Sequence, residues 1–233
     1  VGQENVTMLA AGGTSFYDLF SYLGAHWTGS GGVVHRLVQH LGYSASALAV
    51  SAAVALPLGL VTGHTRRGSA VLGLLSNASR ALPTLGLLTI FAVLIGVGLD
   101  AAIIPLLFIA IPSILVNTAV GIRGVDPVLV DSAKGMGLTP WQVLSRVELP
   151  VALPLIVLGF RTAALQVVST ATIAAYVGLG GLGRYIIDGQ ATRNFAELGA
   201  GAVAVVVFAV SVESLFILGQ RLVVSPGLRR PAH

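Results

Sequence analysis

The chain has 233 residues, 55% of them hydrophobic and 9% charged, with a mean hydropathy of +0.90. A soluble domain carries about 25% charged residues, so this composition marks an integral membrane protein and excludes a disordered chain, a coiled coil and a nucleic-acid binder. The pI near 10.0 reflects a scarcity of acids more than a basic patch, and the absence of cysteine excludes a disulfide framework, a thiolate metal site and a cysteine nucleophile.

One crossing of the hydrocarbon takes about 20 mostly apolar residues. Residues 1–42 fall short of that and are expected to form an extracytoplasmic segment. They lack the basic flank and apolar core of a signal peptide. Phe16, Leu19, Phe20 and Leu23 have the spacing of an interfacial helix, the plain alternative being an irregular terminus. Five apolar stretches follow, at 43–61, 79–98, 101–120, 152–177 and 198–218. The first ends at the polar turn Thr62–Ser69. The second has an amphipathic approach interrupted by Asn77, Ser79 and Arg80. Together they predict an all-α membrane domain over 43–222, with a cytoplasmic tail at 223–233.

The basic residues set the orientation. Arg66, Arg67, Arg80, Arg123, Lys134, Arg146, Arg221, Arg229 and Arg230 fall on one side, against Arg36, Arg184 and Arg193 on the other. The richer side is cytoplasmic, which places the N-terminus outside and the C-terminus in the cytoplasm. Gly is abundant, at 29 residues, and small residues let helices approach closely in lipid.

The cytoplasmic stretch 121–150 carries most information. Asp126-Pro127 reads as an N-cap followed by proline at the first helical position. Gly135 and Gly137 stop that helix, and Thr139-Pro140 repeats the device. Trp141, Leu144 and Val147 then share helical spacing until Pro150 ends the second helix. Two short capped helices, partly apolar and outside the membrane, form a surface built to dock.

Asp131-Ser132-Ala133, three residues, Gly137, nine residues, then Val147-x-Leu149-Pro150 resembles the EAA loop of ABC importer permeases, with Asp for Glu and Ser for Ala. The flanking runs IPSILVNTAVGIRGVDP and ATIAAYVGLGGLG resemble the glycine betaine/choline/carnitine branch of type I permeases. The resemblance implies a five-helix core of the methionine-permease type. It also implies a second permease subunit, identical or homologous, an ATPase dimer that carries ATP and Mg, and an extracytoplasmic substrate-binding protein. Asp131, Ser132, Ala133, Gly137, Val147, Leu149 and Pro150 would then couple to the ATPase in a prokaryotic cell membrane. The alternatives are a methionine-type amino-acid importer and an ATP-independent channel, which the docking loop argues against.

Other features are weaker. Gly178-x-Gly180-Gly181-x-Gly183 contains G-x-G-x-x-G, yet it follows a span rather than a strand; the family resemblance makes it a bend at the outer mouth, and the plain reading is an interhelical turn. Tyr176 and Tyr185 flank that mouth, either as an aromatic belt or as faces for a quaternary ammonium group. Asn117, Thr118 and Gln166 read as interhelical hydrogen-bonding groups. Lys134 is the only lysine, and Ala133 stands where a phosphate-binding loop demands glycine, so no cofactor is expected in this chain. An intramembrane hydrolase is disfavoured because His26, His35, His40, His64 and His233 all fall outside the expected spans. Arg161 and Glu213 are the two charges placed well inside spans, and their opposite signs predict an ion pair between the fourth and fifth.

Overall fold

The computed structural model describes residues 15–223, apart from the side chains of Ser69, Ala78, Ser79, Arg80 and Val223. Residues 1–14 and the basic tail with Arg229, Arg230 and His233 lie outside the described residues. Every regular element among the described residues is helical. In chain order these are α1 (Phe16–Ala25), α2 (Val33–His64), α3 (Ser69–Ala81), α4 (Thr84–Ile95), α5 (Leu99–Arg123), α6 (Pro127–Gly135) and α7 (Pro140–Val143). A π turn (Leu144–Glu148), α8 (Leu149–Ile173), a 3-10 turn (Ala174–Val177), α9 (Gly183–Thr192) and α10 (Phe195–Val223) complete the order.

Among the described residues, four stretches are long and apolar enough to cross a membrane: Val33–His64, Leu99–Arg123, Pro140–Val177 and Phe195–Leu222. Three sequence expectations change in detail. The first helix begins at Val33 rather than at 43, so His35, His40 and His64 lie within it, contrary to the placement of these histidines outside the spans. Hydropathy underrates 33–42 because it does not count tertiary partners. The buried His40 ring, for example, bonds through Nε2 to the Val168 carbonyl at 3.1 Å and meets Phe208 edge-on at 5.2 Å.

The stretch expected as a single second span is instead divided between α3 and α4, with the break at Leu82-Pro83. Proline lacks the N–H that a continuing helix would use and disfavours helical geometry at the residue before it. The short apolar α4 covers only 12 residues. Pro150, in contrast, does not end the second loop helix, and the chain stays helical through it into α8. The π turn just before it already opens the ladder, with the Leu149 N–H donating to the Leu144 carbonyl, and the proline ring enters there without breaking the helix.

The chain divides into two compact units. One comprises Ala47–Pro83, Leu106–Val167 and Val212–His233, of which the part up to 223 is described. In it, α2 carries Ala47, Ser51, Ala55, Gly59 and Gly63 at intervals of four, all buried. A Cβ on Gly59 would lie 2.7 Å from the Thr118 Cβ, and one on Gly63 would lie 2.7 Å from the Ile122 Cβ. On the other side of α5, Gly159 of α8 faces the Asn117 Cβ at the same 2.7 Å, and Gly121 faces Ala152 at 3.2 Å. Residue numbers rise together between α2 and α5, so these helices are parallel. They run oppositely between α5 and α8, where Ser113 Oγ also donates to Gln166 Oε1 at 2.6 Å. Asn117 bonds within its own helix, to the Ser113 carbonyl at 2.7 Å. The α8–α10 pair is antiparallel too: Val157 and Phe160 share a cavity of ≈ 330 Å³ with Leu215, Phe216, Gly219 and Gln220.

The second unit comprises the described part of Val1–Ser46, Thr84–Pro105 and Val168–Ser211. Leu88 of α4, Ala102, Ala174 and Leu179 form its buried cluster, with Tyr43, Ile173 and Val177 packed against it. The helix α1 opens with a capping box in which the Ser15 and Asp18 side chains each bond the other's backbone N–H. The Ser15 backbone and side-chain hydrogen bonds hold the Asp18 carboxyl below its ordinary value. Phe20 and Leu23 of this helix, with Trp27 just beyond its end, line an apolar cavity of ≈ 580 Å³ together with Leu37, Val203 and Val207.

Candidate functional site

The loop between α5 and α8 folds as a small block of its own. Asp126 caps α6 by accepting the Val128 N–H at 2.8 Å, with Pro127 at the first helical position. Thr139 and Gln142 form a capping box over α7. Between them, Leu138 N–H returns to the Ala133 carbonyl at 3.2 Å and Gly137 N–H to Lys134 at 2.9 Å. This is a Schellman cap, and it sets Gly137 at φ +84°, a left-handed geometry that favours glycine. Ala133 is buried with Val125, Val130 and Val143, and Leu138, Val147 and Val151 pack around them.

The outer surface of the block is apolar. Val128, Leu129, Met136 and Trp141 are exposed beside the exposed Asp131, Ser132 and Gly137. Trp141, although at helical spacing with Leu144 and Val147, is exposed. Leu144 is buried, Val147 and Leu149 are half-buried, and Pro150 is exposed. Asp131 meets Lys134 at 3.5 Å in an exposed pair, which contributes little to stability. A capped, internally packed block with apolar side chains facing outward has the build of a docking surface.

Sequence reasoning missed the junction behind this block. Glu148 is buried at 4% exposure, and its Oε2 lies 2.5 Å from His64 Nδ1 in a hydrogen bond. Arg123, the last residue of α5, donates through Nε and Nη2 to the Thr62 carbonyl at 3.3 and 3.0 Å, and through Nη2 to the Arg67 carbonyl. A cation thereby satisfies carbonyls at the C-terminal end of α2. It also braces a turn in which Arg66 has φ +55° and Gly68 φ +79°.

At the end of α8, the glycine run repeats the Schellman cap. Leu179 N–H bonds to Ala174 and Gly178 N–H to Ala175, both at 3.2 Å, with Gly178 and Gly181 at φ +84°. Gly181 N–H donates to Gln39 Oε1 at 3.0 Å. Gly183 abuts the Thr172 backbone, where an added Cβ would lie 2.9 Å from the Thr172 Cα.

The two tyrosines are not placed alike. Tyr176 is 56% exposed and donates to Gln190 Oε1 at 2.9 Å. Tyr185 is buried and donates to the Gly31 carbonyl at 2.6 Å, and burial pushes its phenol above the ordinary value. Tyr22 stacks on His26 at 4.2 Å and meets Tyr185 edge-on at 6.3 Å; burial, then the Glu197 carboxylate, push it up to about 12.

Arg161 and Glu213 are brought together. Arg161 Nε donates to Glu213 Oε2 at 2.8 Å and Nη2 to Oε1, a two-pronged pair joining α8 to α10.

A family model for binding-protein-dependent transport system inner membrane components matches residues 55–230. The choline transport system permease protein OpuBB of Bacillus subtilis is 35% identical over 203 residues, which are 87% of this chain and 94% of that protein. The carnitine transport permease protein OpuCB of Listeria monocytogenes is 39% identical over 183 residues, 78% of this chain and 83% of that protein. Among solved structures, the inward-facing MetNI methionine ABC transporter matches with a TM-score of 0.70 at 25% identity, covering 83% of this chain and 96% of that one.

The Arg161–Glu213 pair lies within spans, where an unpaired arginine costs on the order of 2.5–3.5 kcal/mol even on the lenient insertion scale. Arg161→Ala and Glu213→Ala are each expected to lower the yield of folded protein, and the double substitution to recover part of it. Detergent-solubilised yield and melting temperature check this; a double variant no better than the worse single one would deny the pair its role.

Proposed function

Because this chain belongs to the family of binding-protein-dependent transport system inner membrane components, we propose that it is the permease of an ATP-driven importer of small quaternary ammonium osmolytes such as glycine betaine, choline or carnitine. The observation that carries the substrate reading is the likeness to choline and carnitine permeases over most of both chains. The chain is a multi-pass membrane component, and in this reading ATP and Mg are bound by a separate ATPase subunit. The partners in this reading are an ATPase dimer, an extracytoplasmic substrate-binding protein and a second permease, identical or homologous.

Helix direction supports a reading with five crossings. Parallel packing of α2 and α5 requires residues 65–98 to return the chain along the length of α5. That helix has 25 residues, about 37 Å at 1.5 Å per residue. In this reading the stretch that holds the short helices α3 and α4 supplies that return. With α8 antiparallel to α5 and α10 antiparallel to α8, the chain starts outside and finishes in the cytoplasm, in accord with the basic residues Arg66, Arg67, Arg123, Lys134 and Arg146 on the cytoplasmic side. The membrane domain then extends from α2 to α10, and its first crossing begins about ten residues earlier than the apolar run at 43. Reporters active only in the cytoplasm should be active after Arg67 and within 121–150 and silent near Gly98 and Asp188. Activity near Gly98 would reduce the count to four.

Coupling is assigned to Asp131, Ser132, Ala133, Gly137, Val147, Leu149 and Pro150. Of these, Asp131, Ser132 and Gly137 offer exposed surface, Ala133 and Val147 hold the block together, and Leu149 packs with Ile122, Leu144, Ala152 and Ile156. The glycine turn 178–183 with Tyr176 is assigned to the outer end of the pathway. Asp131→Arg is expected to leave the membrane fold intact, because the side chain is solvated. It should abolish uptake and co-purification of the ATPase; wild-type uptake in this variant would remove the loop from coupling.

For substrate, the complex with its binding protein in proteoliposomes is expected to import radiolabelled glycine betaine, choline or carnitine on addition of ATP inside the vesicle. Import of methionine with no response to those compounds would keep the permease and overturn its branch.

A further inference from the structure

The pair His64–Glu148 has no place in the coupling assignment above, and its position is unusual. In the run from the π turn into α8, Leu144, Glu148, Ala152 and Ile156 recur at intervals of four and are all buried. The three apolar members form one cluster with Ile122, joined by Leu56, Leu60, Leu149 and Phe160. Glu148 therefore occupies a core position. A carboxylate there is costly unless it is partnered, and an apolar residue of similar size is commonly as stable or more so. Packing alone gives no reason for an acid.

We propose that His64 and Glu148 are positioning residues that carry movement of the coupling loop into α2; this rests on the coupling reading of residues 121–150. Three features of the junction support it. The loop is packed as a block, because α6 and α7 share the core of Val130, Ala133 and Val143. Glu148 lies in the π turn directly after α7, a helical form that bends more readily than α-helix and recurs at functional sites. His64 is the last residue of α2, and Arg123 fastens the following turn to α5 through the Thr62 and Arg67 carbonyls.

Beside the pair lies a cavity of ≈ 310 Å³, with Thr65 and Arg66 on the α2 side and Val130, Lys134 and Leu138 on the loop side. Across this opening, apolar contact between the loop and the end of α2 is reduced, and the 2.5 Å hydrogen bond is a direct tie between them. Apolar surfaces slide past one another, whereas a short bond to a fixed carboxylate transmits displacement with direction. Helix α2 then passes it on through the close contacts of Gly59 and Gly63 with α5.

The test uses the full complex of permease, ATPase and binding protein in proteoliposomes, with glycine betaine uptake and ATP hydrolysis measured in the same vesicles. The variants are Glu148→Leu, His64→Leu and the exchange His64→Glu with Glu148→His. Glu148→Leu should assemble with the ATPase and melt at or above the wild-type temperature. ATP hydrolysis should stay within about twofold while glycine betaine imported per ATP falls about tenfold. His64→Leu should show the same split, and the exchange should recover most of the ratio. Wild-type import per ATP in Glu148→Leu overturns the proposal. So does a lowered yield of complex whose surviving molecules keep the wild-type ratio, since that marks a purely structural role. Asp131→Arg separates the two levels: if it leaves uptake intact the coupling reading fails, whereas if it abolishes uptake while Glu148→Leu does not change the ratio, only the tie is lost.

Discussion

The approach of α5 to its neighbours at glycine distance, against α2 at Gly59 and Gly63 and against α8 at Gly121 and Gly159, is the contact on which the rest of this unit depends. Lipid is as apolar as leucine, so burying leucine between helices gives little preference for one arrangement. What selects this arrangement is van der Waals contact between backbones that have no side chain to hold them apart. The same contacts fix direction, and direction brings the end of α2, the end of α5 and the entry to α8 into one place. Three long-range polar contacts then become possible there: Arg123 to Thr62, Arg123 to Arg67, and His64 to Glu148.

The local devices of the loop were legible in the sequence because each is confined to a few residues. Asp126-Pro127, Gly137 and Thr139-Pro140 act as a cap, a left-handed stop and a second cap, as their chemistry demands. The family resemblance rested on the same stretch. Span centres were legible from hydropathy, but span ends were not. His40 reads as a reason to stop, yet its ring is buried against Phe208 and bonded to Val168, more than a hundred residues away. Pro150 reads as a terminator, and the π turn that accommodates it has no sequence signal of its own. The Leu82-Pro83 break was hidden by the apolar run around it.

The tie between His64 and Glu148 joins residues 84 positions apart, and neither neighbourhood announces the other. The only sign is the register: an acid falling four residues after Leu144 and four before Ala152, on a stripe that is otherwise apolar. Arg161 and Glu213 were easier to connect because each stands alone among apolar neighbours within its span, and a charge in lipid without a partner is costly enough to demand one. Glu148, lying next to the polar loop, looked like one more loop acid.

Gly137 and Gly178 carry the same cap, yet the surroundings differ in a way that bears on what each turn can do. Nothing lies within 4 Å of where a Gly137 side chain would begin, so glycine is required there by its φ of +84° and not by space. Gly178 combines the same φ with close contact to Val97, and Gly183, five residues on, meets the Thr172 backbone. Leu179 and Leu182 between them are buried. A turn with room around it can take up a partner against its surface, as a docking loop must. A turn whose glycines are chosen for space holds its neighbours at a fixed separation, and any change in α8 at that end has to move the buried leucines with it.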